Sequence, residues 1–179
     1  MMEQTIHIQY YPTRCGELIV GSYGQALCLC DWKCRKNRET VDRRIQKALN
    51  ARYEVKDSPV IQEAFKQLNE YFDKQRITFG LPLLTVGTDF QKKVWELLLD
   101  IPYGRTESYL GLSQRFGAPK AIRAVSSANA ANAISIFIPC HRIIGTNGKL
   151  IGYAGGVEAK KMLLELESGD QMLGLCSVP

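Results

Sequence analysis

Between Ser108 and Val157 the chain has no aspartate or glutamate, although the full 179 residues carry 18 of them. Arg115, Lys120, Arg123, Arg142 and Lys149 all fall inside that stretch. A surface with base and no acid suits a polyanion such as DNA. A buried segment with little need of charge would look the same, and charge alone does not separate the two. Histidine is scarce as well: His7 and His141 are the only two. No CxxC pair occurs among the six cysteines, so the usual spacing of a zinc site is missing. Cys15, Cys28, Cys30, Cys34 and His7 would be the raw material for one, but Cys28 and Cys30 alternate along one expected strand, and no metal is expected. No apolar run approaches the roughly 20 residues that span a bilayer. The start, Met1 to His7, lacks the charged and then apolar pattern of a secretory signal. A cytoplasmic location, no membrane partner and reduced thiols are therefore expected.

What is present is a globular composition, 45% hydrophobic and 23% charged, with a formal charge of +5. The length suits one ordinary domain or two small ones. Thr5 to Tyr10 and Gln25 to Trp32 alternate polar and apolar side chains, and Glu17 to Val20 is short and β-branched. With a turn at Gly21 to Gly24 these predict a hairpin or meander. The basic run from Lys33 to Arg44, broken by Asp31, Glu39 and Asp42, reads as a solvated loop or helical face. Ser58 as N-cap and Pro59 in the first turn open an amphipathic helix through Val60, Ile61, Ala64, Phe65, Leu68, Tyr71 and Phe72. Gly80 to Leu84 reads as a linker or a last extended strand between two halves.

The second half is helical. Thr88 and Gln91 form a capping box ahead of Phe90, Val94, Trp95, Leu97 and Leu98, in a helix that ends before Pro102. Thr106 to Arg115 is helical in composition, Phe116-Gly117-Ala118 is a turn, and Pro119 opens an alanine-rich helix. Two short helices on a glycine-containing turn match a helix-turn-helix, although many αα-hairpins have no nucleic-acid role.

The densest chemistry is Ile138-Pro139-Cys140-His141-Arg142-Ile143-Ile144. Isoleucines bury the segment, and a thiol, an imidazole and a guanidinium sit side by side where polar groups need partners. A nearby base or cation frees a thiolate, the soft nucleophile, from an ordinary pKa of about 8.5. The competing reading makes Cys140 a small core residue. Neighbours on an extended segment face opposite ways, so contact between Cys140 and His141 needs a bridging water. Arg142 reads as a phosphate contact or as the partner of a buried carboxylate. Glu167 reads as that carboxylate or as a surface charge.

Pro139-Cys140-His141-Arg142, then Gly152-Tyr153-Ala154-Gly155-Gly156 and Lys160 to Glu167, resembles the active-site signature of the O6-alkylguanine-DNA alkyltransferases, or methylated-DNA-protein-cysteine methyltransferases. The resemblance runs back through Thr88 to Trp95, Ile101 to Gly104, Ser108-Tyr109 and Arg123-Ala124-Val125. It is specific over residues 88–167 and only general before them.

That resemblance implies an α/β (α+β) fold: a ribonuclease-H-like amino-terminal sheet domain, residues 1–84, and a winged-helix-like domain with the helix-turn-helix, residues 85–179. It implies a DNA-repair enzyme that transfers an alkyl group from O6-alkylguanine in double-stranded DNA to Cys140, once per molecule, without a cofactor and as a monomer. The recognition helix would enter the minor groove and the damaged nucleotide would be flipped out, since a buried thiol cannot reach the alkyl carbon inside the stack. Carried over by position, Cys140 is the acceptor, His141 its base through a water, and Glu167 the group that orients His141. Asn132 ties down the nearby turn, and Tyr153 helps guanine leave. Arg123 fills the vacated space and Tyr109 presses on the target phosphate. Ala121 and Ala124 let the helix sit deep, Lys120 adds charge beside them, and a backbone amide near Ala154 reads the oxygen. The chain departs from the family pattern at Ser126-Ser127, where a glycine is usual, at Ala133, where a proline is usual, and at Ala154, where a serine is usual. These bear on DNA affinity and rigidity more than on chemistry. A Cys-His hydrolase, a non-catalytic lesion-binding protein and a regulatory role are the rival readings. The range of alkyl groups and any action on alkylated thymine stay open.

Overall fold

The alternating first third forms a sheet of four strands, β1 (Gln4–Thr13), β2 (Gly16–Tyr23), β3 (Ala26–Trp32) and β4 (Ala51–Val55), in the order β3-β2-β1-β4. The first three are an antiparallel meander. The last is reached through α1 (Arg38–Leu49) and pairs parallel to β1. The computed structural model describes residues 4–169, so Met1 to Glu3 of the start and the last residues of the expected second domain lie outside it.

Alternation decides which face each side chain meets. Ile6, Ile8, Ile19 and Leu29 pack with Val41 and Ile45 of α1, while Leu18, Val20 and Leu27 pack with Ile61, Ala64 and Leu68 of α2 (Pro59–Phe72). Each such side chain contributes about 1.5–3 kcal/mol when fully buried. The α2 start is as expected: the Ser58 Oγ accepts from the Ile61 N–H at 3.2 Å and Pro59 stands in the first turn.

Several expectations need correction. The turn lies at Gly24, in the left-handed region at φ 57°, while Gly21 sits inside β2 where the register shifts. β4 has no counterpart in the sequence reading. The basic run is solvated only in part: Lys33, Lys36 and Arg43 are exposed, whereas Arg35 and Arg38 both pair with Asp31, whose side chain is 0% exposed.

In the second half, α3 (Asp89–Leu99) opens on the predicted capping box of Thr88 and Gln91. A two-stranded parallel pair, β5 (Glu107–Ser108) with β6 (Ile143–Ile144), brackets α4 (Tyr109–Arg115) and α5 (Ile122–Ala130). α5 starts three residues later than Pro119 suggests, so Ala121 is its cap residue and lies outside the helix proper. The chain then enters α6 (Gly156–Ser168).

One core spans both halves, joining Leu18, Trp32 and Leu68 to Val94, Leu98 and Ile134 to Ile138. The outer edge of β3 joins them too. Near one end Leu27 donates to Pro82 and accepts from Leu84, so the predicted linker does run extended. Further along, Cys30 donates to the Ala133 carbonyl and accepts from the Ser135 N–H. An edge strand that would otherwise present bare backbone is thus used to hold the segment leading to Cys140.

Candidate active site

Pro139, at φ −80°, leads into a single 3-10 turn, Cys140–Arg142. The turn replaces the extended path expected from sequence and buries all three side chains together. Asn132 ties the approach down. Its Oδ1 accepts from the Ile134 N–H at 2.9 Å, and its Nδ2 donates to the Ile138 carbonyl at 3.0 Å and to Cys140 Sγ at 3.2 Å. Between them Ile136 is held at φ 74°, a left-handed conformation that strains a β-branched residue by on the order of 1–3 kcal/mol. The strained turn persists because Asn132 and the β3 edge fix it at both ends.

Glu167, on α6, is a fully enclosed carboxylate with five donors. Oε1 accepts from His141 Nε2 at 2.8 Å, Tyr71 Oη at 2.7 Å and Arg142 Nη2 at 2.9 Å. Oε2 accepts from Arg142 Nε at 2.9 Å and the Gly104 N–H at 3.2 Å. Gly104 has φ +71°, and a Cβ there would lie 2.9 Å from the Glu167 carbonyl oxygen, so the position admits little else. Of the two readings of Arg142 and Glu167, the geometry selects the buried pair.

These contacts decide the protonation states. Burial alone would raise the Glu167 pKa, but His141 and Arg142 outweigh it and hold it at about 2. An ionised Glu167 requires His141 Nε2 to carry the ring proton. Burial lowers the His141 pKa despite Glu167, so the ring is neutral at neutral pH and Nδ1 holds a free lone pair. That Nδ1 is buried with no hydrogen-bond partner among the described residues. Burial, helped by Asp31, leaves the Cys140 thiol above the ordinary cysteine range, although Asn132, Arg35 and Lys160 pull it down. Lys160 is wholly buried, donates to the carbonyls of Ile151 (2.9 Å) and Gly152 (3.4 Å), and is brought down to about 8 by that burial.

Cys140 opens on a cavity of about 970 Å³ lined by Tyr109, Ser126, Asn129, Asn132, Tyr153 and Ala154, among others. The Tyr153 hydroxyl is buried there without a partner among the described residues, and burial drives its pKa well above the tyrosine range, so it keeps its proton. Its ring stands edge-on to Trp32, centroids 6.0 Å apart. Gly155 passes so close that a Cβ would come within 2.5 Å of the Trp32 ring.

α5 forms one wall. Val125 and Ala128 face inward, and Trp95 Nε1 donates to the Ala128 carbonyl at 2.8 Å. Ile122, Arg123, Ala124 and Ser127 are left on the exposed side, with Lys120 just before them and Ala121 half-buried. Its last carbonyls are capped from the first half of the chain: Arg35 donates to Ala130 and to Asn132 (2.8 Å), and Arg44 to Ala131 (2.8 Å). Of the basic residues in the acid-free stretch, Arg142 pairs with Glu167 and Arg115 with Asp100 and Glu107. Lys120, Arg123 and Lys149 are exposed and make no ion pair among the described residues. The departures fall around this wall: Ser126 and Ser127 line the cavity, the Ser127 Oγ donates to the Arg123 carbonyl at 3.0 Å, and Ala133 is buried beneath.

Cys140, His141, Glu167 and Asn132 are therefore brought together, with Tyr153 over the same cavity. Sequence reasoning missed Tyr71, the Gly104 amide, Lys160 and the Asp31, Arg35, Arg38, Arg44 group. No three His, Cys, Asp or Glu side chains among the described residues group to hold a metal ion.

Residues 6–85 match the family model of the 6-O-methylguanine DNA methyltransferase ribonuclease-like domain, and residues 89–169 that of its DNA binding domain. A methylated-DNA-protein-cysteine methyltransferase of Mycobacterium leprae is 38% identical over 95% of this chain and 97% of its own length. The chain belongs to the 6-O-methylguanine DNA methyltransferase family. A constitutive member from Bacillus subtilis is 51% identical over 64% of this chain and 70% of its own length. The structure of the Mycobacterium tuberculosis member in complex with DNA superposes with a TM-score of 0.78 at 37% identity, covering 92% of each chain. In this methyltransferase the two matched regions meet where β3 holds Ala133 and Ser135, one turn ahead of the thiol. No helix among the described residues is long and apolar enough to cross a membrane.

Proposed function

We propose that this chain repairs duplex DNA by moving an alkyl group from the 6-oxygen of guanine onto Cys140 Sγ, once per molecule. The observation that carries it is a buried thiol, opening on a cavity walled by α5, next in sequence to a neutral imidazole whose one proton is committed to an ionised Glu167 and whose Nδ1 lone pair is left free. As Sγ attacks the alkyl carbon in line, the carbon–sulfur bond forms and the carbon–oxygen bond breaks, with its electron pair leaving on guanine. The thiol proton passes through one water to His141 Nδ1, and Glu167 steadies the imidazolium. Tyr153 donates a hydrogen bond to the departing guanine, which finally takes the proton, so a hydrogen replaces the alkyl group. The thioether has no good leaving group, and the thiol is not restored.

Arg123 fills the space left by the flipped nucleotide, Tyr109 bears on its phosphate, and Lys120 adds charge beside them. Ala121 and Ala124 allow close approach to the minor groove, and the Ala154 amide reads the guanine oxygen. Asn132 holds the turn. The domain boundary falls between residues 84 and 85, and the protein works in the cytoplasm, where thiols stay reduced. Incubation with an excess of duplex containing O6-methylguanine tests the reading. One equivalent repaired and then a halt supports transfer, whereas continuing turnover points to a Cys-His hydrolase. Binding without repair points to a lesion-flagging protein.

A further inference from the structure

Tyr71 belongs to the apolar stripe of α2, in the half of the chain that carries none of the residues assigned a part in the transfer step above. It is fully buried, with its ring packed edge-on to Phe72 and Tyr103 and tilted against Phe79. Only its hydroxyl is polar, and that hydroxyl donates to Glu167 Oε1 at 2.7 Å, the oxygen that also receives His141 Nε2. A carboxylate oxygen offers about two lone-pair directions, and Oε1 already serves three donors. Tyr71 and His141 therefore compete for the same electron density.

We propose that Tyr71 is a positioning residue for alkyl transfer: it holds Glu167 Oε1 against His141 and, by sharing that oxygen, limits how strongly the carboxylate favours the imidazolium. The inference rests on His141 being the base for Cys140. Tyr71 keeps its own proton throughout, since burial and the adjacent Glu167 carboxylate raise its pKa well above the ordinary range. The groups around the pair are few. Glu167 and Lys160 face it from α6, Arg142 and Cys140 from the 3-10 turn, and Tyr103 and Tyr153 from the loops. Lys160 and Arg142 oppose a charged His141, so Glu167 is the group favouring it, and whatever weakens or strengthens Glu167 shifts the balance.

The sign follows. Tyr71→Phe removes one donor from Oε1, the carboxylate stabilises the imidazolium more, and His141 holds a proton to higher pH. The acid limb of the single-turnover transfer rate then moves up by roughly half a unit or more, a loss of about threefold in rate one unit below the wild-type midpoint, relative to each protein's own plateau. A second variant, 3-fluorotyrosine at position 71, is a stronger donor of nearly the same size and moves the limb down. Tyr103→Phe is the control. It removes a hydrogen bond to the Leu166 carbonyl (3.2 Å) on the same helix and leaves the limb in place. Opposite shifts in the two Tyr71 variants support the inference. An unchanged limb in both, or an equal shift in Tyr103→Phe, overturns it. If the wild-type protein puts no alkyl group on Cys140, the underlying reading fails first, and the inference with it.

Discussion

Asp31 and Glu167 are both carboxylates with side chains 0% exposed, and they differ in the partners that surround them. Asp31 is bound to two arginines, Arg35 at 2.6 Å and Arg38 at 2.8 Å, and to the Trp32 N–H and Ser135 Oγ. Those partners are guanidinium, hydroxyl and backbone donors, with no imidazole among them. Glu167 also has its arginine, but it adds a histidine and a tyrosine. The same kind of buried charge therefore does two jobs. The Asp31 group fixes geometry by holding the arginine that caps α5 and the serine beside the Asn132 turn. The Glu167 group can take up a proton during a reaction and release it afterwards.

The largest expected effect separates the two directly. Glu167→Gln and Asp31→Asn should each cost about 3–5 kcal/mol of stability in urea unfolding, because each strands buried cations. Glu167→Gln should also slow single-turnover transfer by about 10²–10³-fold, in the range of lost acid–base catalysis, whereas Asp31→Asn should slow it by less than about tenfold. Equal losses of rate would break the distinction.

Next in size, Arg123→Ala should lower transfer from duplex DNA by about tenfold or more while leaving transfer from the free alkylated base unchanged, since Arg123 is exposed on α5 and touches none of the Glu167 group. Assays on the two substrates check this, and an equal loss on both would place Arg123 in the chemistry.

Acid stability sharpens the comparison further. Both His141 and Glu167 have folded pKa values below their ordinary ones, so the unfolded chain binds more protons and stability falls as pH falls. Loss should begin below the ordinary His141 value of 6.5 and deepen from the ordinary Glu167 value of 4.5 toward about 2. Urea midpoints between neutral and acid pH should show this slope in the wild type, and its lower part should flatten in Glu167→Gln. The smallest effect is expected for Arg35→Ala. It uncaps the Ala130 and Asn132 carbonyls at a cost of about 1–3 kcal/mol and weakens DNA binding more than the plateau transfer rate.

The legibility of these parts follows their physics. Cys140, His141 and Arg142 are consecutive and lie in an apolar run, so the cost of burying them could be seen in the chain itself. Glu167 was an open choice until Arg142 was seen against it. The meander was legible from alternation, but β4 is short and follows closely on α1, and although Ala51-Arg52-Tyr53-Glu54-Val55 alternates, only Ala51 is buried and five residues do not set a strand apart from the end of the preceding helix. Tyr71 was placed correctly on the buried stripe of α2, yet periodicity registers only the ring and says nothing about where the hydroxyl ends. Asp31, Arg35 and Arg38 stand four and seven residues apart, the spacing of a solvated helical face. The further partners of Arg35, and those of Arg44, are carbonyls 87 to 97 positions away, which no local pattern can reveal.

The central claim is that Cys140 is the permanent resting place of the alkyl group. Digesting the protein after reaction with O6-methylguanine duplex and weighing the peptide that contains Cys140 tests it most directly. A single added methyl group on that peptide, stable on standing and absent from a Cys140→Ala variant that still binds the duplex, is the expected result. Repair with an unmodified Cys140 peptide, or a methyl group on any other cysteine, would contradict it.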